Sequence, residues 1–271
     1  MTNGRWRPPA LVAGSLAIHA AALVALVTAP HYWPWLLGAA LADHLAVAQA
    51  CLRPRSRLLG PNLTRLPEAA ARRGEVALTF DDGPDPEVTP RVLERLAERG
   101  AHASFFCVGR RVEAHPQVAA AAVAAGHRLE NHTHTHPAHF AFRGPRAMEA
   151  EIARAQEAVA RATGQAPRLF RPPAGFRAPW TDLALHRSGL TLATWTRRGF
   201  DAVTRDPRRV ADRLLRGLAA GDVLLLHDGW GARDRGGRAV VLEALPRLLD
   251  TLEARGLRAV PLPAPDEAVA A

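Results

Sequence analysis

The amino-acid sequence predicts an α/β fold: a parallel sheet of about seven strands, preceded by one or two N-terminal transmembrane helices. Three observations carry this expectation. Beyond residue 74, short runs rich in apolar and β-branched residues alternate with helix-length amphipathic segments. Glycine follows the last helical turn at Gly100, Gly126, Gly164, Gly221 and Gly256, where a left-handed cap ends a helix. Two long, nearly uncharged stretches open the chain. Strands that are apolar on both faces and alternate with helices form parallel sheets, closed as a barrel or doubly wound. In both arrangements ligands sit at the carboxyl ends of the strands. The 271 residues are 48% apolar and 23% charged, a globular composition that excludes a disordered or fibrous chain.

Residues 10–29 form a run of 20 with no charge, long enough to cross a bilayer. A cleaved signal peptide has a shorter apolar core and a small-residue cleavage site, which this segment lacks. A second run, residues 35–52, carries Asp43 and His44 in its middle. A mid-membrane Asp costs roughly 2.5–3.5 kcal/mol on insertion scales, which the surrounding leucines can offset. Trp6, Tyr32, Trp33 and Trp35 flank the runs as interfacial aromatics do. Arg5 and Arg7 precede the first run, Arg53, Arg55 and Arg57 follow the second, and the link between them has none. The positive-inside rule then places both ends of a helical hairpin, and the remainder of the chain, in the cytoplasm. If the second run does not span, the remainder lies outside. The bland alternative is a pair of core helices in a soluble protein.

The expected organisation is a membrane anchor at 1–53, a linker at 54–74 containing Gly60, Pro61 and Pro67, a catalytic domain at 75–262, and a tail at 263–271. Strands are expected at 75–80, 103–108, 128–132, 169–171, 191–196, 222–227 and 257–262. Helices are expected at 89–99, 116–125, 145–163, 181–187, 207–220 and 239–255. The two cysteines, Cys51 and Cys107, cannot build a disulfide scaffold or a four-cysteine zinc site. The net charge of +9 comes from arginine alone, scattered along helix-like segments. Without aromatic residues interleaved in a basic patch, that scatter reads as solvated faces and not as a nucleic-acid surface.

Reactive groups collect at the strand ends. The first strand runs into Thr79-Phe80-Asp81-Asp82-Gly83-Pro84. Neighbouring side chains on extended backbone point in opposite directions, so one carboxylate can bind a metal while the other works as a base. An Asp-Gly-Pro turn with capping carboxylates is the simpler alternative. The third strand runs into Asn131-His132-Thr133-His134-Thr135-His136-Pro137, and with His139 four of the twelve histidines lie within eight residues. His132 and His136 share a face if the backbone turns helically, and two imidazoles can then converge on one ion. Joined to the Asp pair they make two His and one Asp, three ligands with an open position, as a catalytic zinc site requires. The fourth strand ends in Arg171-Pro172-Pro173, a rigidly placed guanidinium suited to a carboxylate. The sixth ends in His227-Asp228.

In order and spacing, Thr79-Phe80-Asp81-Asp82-Gly83-Pro84, Asn131-His132-Thr133-x-x-His136-Pro137, Arg171-Pro172-Pro173 and Leu224-x-x-His227-Asp228 resemble the motifs of the polysaccharide deacetylases, the NodB-homology domains of carbohydrate esterase family four. The resemblance covers residues 74–262. It implies a distorted (β/α) barrel and a metal-dependent hydrolase, usually with zinc, that removes N-acetyl and sometimes O-acetyl groups from amino sugars. By motif position it implies Asp82, His132 and His136 as metal ligands, Asp81 as general base, His227 as general acid and Arg171 as the residue that orients Asp81. The Ala174 backbone N–H, beside Pro173, would face the oxyanion. Two departures stand out. The family commonly has an aromatic residue where this chain has Ala174, and its fourth motif is reduced to Asp201, which would orient His227 or Arg171. The substrate implied is a polysaccharide or a lipid-linked glycan. Two rival readings are a deformylase of a lipid-linked amino sugar and an inactive membrane-bound sugar- or metal-binding module.

Overall fold

The structure, a computed structural model, describes residues 5–265. It opens with an antiparallel hairpin of α1 (Ala10–Thr28) and α2 (Trp33–Leu52), joined by a tight turn at Pro30–Tyr32. Both helices are long and apolar enough to cross a bilayer, judged by length and composition. Asp43 is turned inward against α1, where the Ser15 hydroxyl donates to its Oδ2 at 2.7 Å and the His19 ring stands 3.7 Å away. A polar group in apolar surroundings is far less costly when it is hydrogen-bonded, so Ser15 explains how α2 carries a carboxylate at mid-length.

Eight parallel strands follow: β1 (Glu75–Asp81), β2 (Ser104–Cys107), β3 (Arg128–Asn131), β4 (Leu169–Phe170), β5 (Thr191–Leu192), β6 (Arg197–Arg198), β7 (Val223–His227) and β8 (Arg258–Val260). Their order is β5-β4-β3-β2-β1-β7-β6, with β8 paired to the start of β1. The sheet curls into a half-barrel whose edges are β5 and β6. The strand expected at 191–196 is thereby corrected. It stops at Leu192, and residues 197–198 join the opposite edge beside β7. The segment between them crosses the gap and is held by the preceding linker, since Leu63 donates to the Leu192 carbonyl and accepts from Thr194 N.

The short α3 (Glu68–Arg72) sets Ala70 against the concave-side cluster, and the other helices wrap the outer face: α4 (Val88–Ala97), α5 (Gly109–Ala114), α6 (Pro116–Ala124), α7 (Pro145–Thr163), α8 (Thr181–Ser188), α9 (Pro207–Leu215) and α10 (Val240–Ala254). The short α3 and α5 were not anticipated. The helix expected at 207–220 ends at Leu215, because Gly217 and Gly221 both adopt left-handed backbone. The linker expected at 54–74 packs onto the sheet, with Leu59, Asn62 and Leu66 buried. Of the expected tail at 263–271, residues 266–271 lie outside the described residues.

Alternation along β1 positions the site. Val76, Leu78 and Phe80 point outward into the main core with Val92, Leu96, Leu245 and Leu248, and Phe80 stacks on Phe105 at 4.9 Å. Ala77 faces the concave side with Phe106, Leu169 and Leu225. The two-residue period puts Thr79 and Asp81 on that same concave side. Burying the large side chains of the outer layer contributes roughly 1.5–3 kcal/mol each, which fixes the register of β1 and hence the height of Asp81.

Candidate active site

Asp81 ends β1, and Asp82 follows in left-handed backbone, φ 74°. The expectation that the two carboxylates diverge is corrected by this twist. Asp81 Oδ2 lies 3.9 Å and Asp82 Oδ1 3.3 Å from the same atom, His132 Nε2. Gly83 is required next, because a Cβ there would come within 2.2 Å of the Asp228 carboxylate.

His132 and His136 converge on Asp82, but not through a helical turn. The segment is a loop in which Thr133 (φ 65°) and His136 (φ 53°) are left-handed. Glu151 of α7 holds the loop, accepting from the backbone N–H groups of His134 and Thr135 and from the Thr135 hydroxyl. Asn131 fastens it again through Thr133 N and the Ile152 carbonyl. His136 Nε2 ends 3.1 Å from Asp82 Oδ1. His132 donates from Nδ1 to the Arg171 carbonyl at 2.7 Å, which makes Nε2, the nitrogen facing Asp82, the atom that can ligate an ion once it gives up its proton. His134 and His139 stay apart from this cluster; His134 Nε2 faces Glu113 at 3.6 Å.

Donor atoms of Asp82, His132 and His136 lie within 4.8 Å of one another, and Asp82 Oδ1 is buried with no hydrogen-bond partner. An orphaned buried carboxylate oxygen facing two imidazole nitrogens fits a divalent cation, so the donor set and its geometry suit the metal that the motifs imply. Burial raises the Asp82 pKa, but the nearness of the His132 and His136 imidazoles outweighs it and holds the carboxyl well below the usual range. His19, Asp43 and His44 of the hairpin bring three donor atoms equally close.

Arg171 is fully buried and reaches across the concave face. Its Nη1 donates to Asp81 Oδ1 at 2.5 Å and to Thr79 Oγ1 at 2.9 Å, while Nε and Nη2 donate to the Ala193 and Thr194 carbonyls. The guanidinium lies over the Phe106 ring at 3.9 Å. Asp201, left between two partners by the sequence, meets His227 and not Arg171: its Oδ1 is 2.8 Å from Nδ1. Burial lowers the His227 pKa, but the charge and hydrogen bond of Asp201, aided by Asp81 and Asp82, push it up to about 9. Pro173 is buried in the turn after Arg171, and Ala174 (φ 55°) is exposed there.

Three contributors escaped the sequence reading. Thr79 braces Arg171 and donates to the Leu224 carbonyl; its place two residues before Asp81 was the available signal. Asp228 is buried, accepts from Thr89 Oγ1 at 2.6 Å and is pushed up to about 7 by burial. Trp230 stands 5.2 Å from the His136 ring, with the Arg111 guanidinium 4.1 Å from its centroid. Asp85, Arg111, His227 and Trp230 line a cavity of about 270 Å³ beside the cluster.

A curled parallel half-barrel with a His-His-Asp cluster, a second Asp and a carboxylate-bound His at its mouth defines a hydrolase of the carbohydrate-esterase type. Comparison with known proteins gives the family. The polysaccharide deacetylase family model matches residues 68–193. The chain is 33% identical over 200 residues to the chitooligosaccharide deacetylase of Azorhizobium caulinodans, covering 70% of this chain and 94% of that one. It is 30% identical over 195 residues to a peptidoglycan-N-acetylglucosamine deacetylase of Bacillus cereus, covering 70% of this chain and 68% of the relative. Among solved structures, the family 4 carbohydrate esterase of Streptomyces lividans in complex with acetate superposes with a TM-score of 0.62 at 35% identity, over 69% of this chain and 91% of the other. The chain belongs to the polysaccharide deacetylases of carbohydrate esterase family four, hydrolases of carbon–nitrogen bonds.

Proposed function

We propose that the chain is a membrane-anchored, metal-dependent N-deacetylase of glycans that contain N-acetylglucosamine. One observation carries the reading: a buried, unpartnered Asp82 oxygen faces His132 and His136, with Asp81 and His227 close by. The names of the relatives, which act on chitooligosaccharide and on peptidoglycan N-acetylglucosamine, support the substrate class.

Asp82, His132 and His136 would hold one divalent ion, zinc by the chemistry of the donors. When bound, such an ion supplies Lewis acidity to the amide carbonyl and lowers the pKa of water toward about 7. Asp81, fixed by Arg171 with one oxygen left toward the cluster, takes the proton from the attacking water. The backbone N–H of Ala174 faces the developing oxyanion, with Pro173 making the turn rigid. His227, protonated and held by Asp201, gives its proton to the departing amine, without which an amide nitrogen leaves poorly. The anchor segment, whose helical hairpin is α1 and α2, holds a catalytic domain at 75–262, with both arginine-rich ends in the cytoplasm.

Acetate release from chitotetraose and from peptidoglycan fragments tests the reading. Release is expected from at least one of them, lost with a chelator and restored by a divalent ion. Failure to hydrolyse any acetylated amino sugar in the metal-loaded protein sinks it. Reporter fusions at the C-terminus test the membrane side.

A further inference from the structure

Both ends of the helical hairpin are fastened to the mouth of the catalytic sheet. Before α1, the Trp6 indole donates to Asp182 Oδ2 of α8 at 2.9 Å. At the end of α2, the Cys51 carbonyl accepts from Arg177 N at 3.2 Å, and the buried Arg177 side chain donates to the Ser56 carbonyl at 2.6 Å. Pro54 packs so tightly on Gly175 that a Cβ there would lie 3.0 Å from its ring. All these partners lie in residues 175–182, directly after Arg171, Pro173 and Ala174. A hairpin fastened in this way sets the mouth at the depth where the helices leave the bilayer.

At the same junction the last turns of α2 and the residues after it enclose a groove of about 690 Å³. Its wall includes Ala46, Leu52 and Leu58, and Arg53, Arg55 and Arg57 stand around it. None of these three guanidiniums has a hydrogen-bond or acidic partner among the described residues. Some surface arginines, such as Arg65, Arg99, Arg187 and Arg258, reach a carboxylate within 3.0 Å; what sets Arg53, Arg55 and Arg57 apart is that all three gather around one apolar groove at the end of α2. Three unpaired cations over an apolar floor at the edge of a bilayer match a phosphate that carries a hydrocarbon chain. Pro54 both lines the groove and touches Gly175, four residues after the Arg171 that holds Asp81.

We propose that this groove holds the phosphate of a membrane lipid whose headgroup is the amino sugar itself, so that the enzyme deacetylates a glycan still joined to its lipid. The proposal rests on the deacetylase reading and names its substrate class. The guanidiniums take the phosphate, the apolar wall takes the first methylenes, and the sugar projects past Pro54 into the mouth.

The test uses the full chain in phosphatidylcholine nanodiscs, with prenyl-diphosphate-linked N-acetylglucosamine in the same discs or chitotetraose in solution. Binding to the lipid-loaded discs is measured alongside turnover. Replacing Arg53, Arg55 and Arg57 by Gln is expected to cut binding and kcat/KM on the lipid-linked sugar by roughly tenfold to a hundredfold, with chitotetraose turnover held within roughly twofold. Arg55→Glu alone should act in the same sense. Inorganic phosphate and inorganic diphosphate, lacking the chain, should compete weakly. The proposal is overturned if the lipid-linked sugar neither binds nor reacts, if both substrates lose activity equally, or if free phosphate competes as well as the lipid. Absence of turnover on both substrates with groove-dependent binding intact would instead overturn the deacetylase reading alone.

Discussion

Asp201 grips His227 at two points, its Oδ1 2.8 Å from the imidazole Nδ1 and its Oδ2 accepting the His227 backbone N–H at 2.7 Å. One carboxylate thus fixes both the ring and the strand end that carries it. It also decides the charge of the ring: burial lowers the pKa, yet Asp201 and then Asp81 and Asp82 push it up to about 9. The folded-state value lies above the ordinary value of about 6.5, so the linked stabilisation is complete below that pH and is lost as pH rises through about 9. Activity that needs protonated His227 falls over the same alkaline range. A cation beside Asp82 offsets one of the supporting charges and moves that limb lower. Asp201→Asn removes the largest supporting charge. The alkaline limb of kcat/KM against pH should move down by about one unit or more, and kcat should fall about a hundredfold. A limb that stays in place would show that His227 is not the group titrating.

Arg171 and Asp81 form a pair buried on the concave face, with Thr79 and two carbonyls completing the guanidinium. Removing one partner of a buried pair leaves an uncompensated charge, so Arg171→Met should lower unfolding stability by about 3–5 kcal/mol. Arg171→Lys keeps the charge but loses the planar fork that reaches Asp81, Thr79 and Thr194 together. It should fold, with kcat reduced about a hundredfold through misplacement of Asp81. Denaturant midpoints and single-turnover rates separate the two effects.

Metal uptake should release a proton. Burial lowers the His132 pKa, but the charge of Asp81 and the contact with Asp82 overcome it and raise the value above its ordinary level. A ligand imidazole must be neutral, so the ion competes with a proton that His132 holds more firmly than a free histidine does. Apparent zinc affinity should therefore fall as pH drops, and the fall should begin at a higher pH than for a site built on an ordinary histidine. Calorimetry in buffers of different ionisation enthalpy reads the proton directly. Uptake with no proton release near pH 7 would contradict this.

The sequence made much of the sheet legible because β1, β2 and β7 are apolar runs bounded by turn residues, and the ordered strand-end motifs followed from them. What it concealed depends on backbone twist and on distance. Residues 191–196 have the apolar pattern of one strand, yet their pairing partners lie at opposite sheet edges, which no local period reveals. His132 and His136 meet through two left-handed residues and not through a helical turn, so the spacing pointed to convergence by a mechanism the chain does not use. Asp201 could be assigned to His227 only once β6 and β7 were adjacent. Trp230 gave no periodic signal because a single exposed aromatic in a loop has none.

Asp81 and Asp82 are adjacent in sequence, face one imidazole and should nevertheless fail differently. Asp82 Oδ1 lies 3.3 Å and 3.1 Å from the two histidine Nε2 atoms, whereas Asp81 spends one oxygen on Arg171 and keeps the other 3.9 Å from His132. Asp82→Asn removes the anionic donor at the centre of the cluster. It should reduce bound metal together with activity, and added zinc should restore part of the rate. Asp81→Asn leaves the three donors in place. Metal content measured by elemental analysis should stay at the wild-type level while kcat drops by about 10²–10⁴, the range for a positioned general base. Added zinc should then restore nothing. Equal metal loss in both variants would make Asp81 a ligand and remove the base from the proposed reaction.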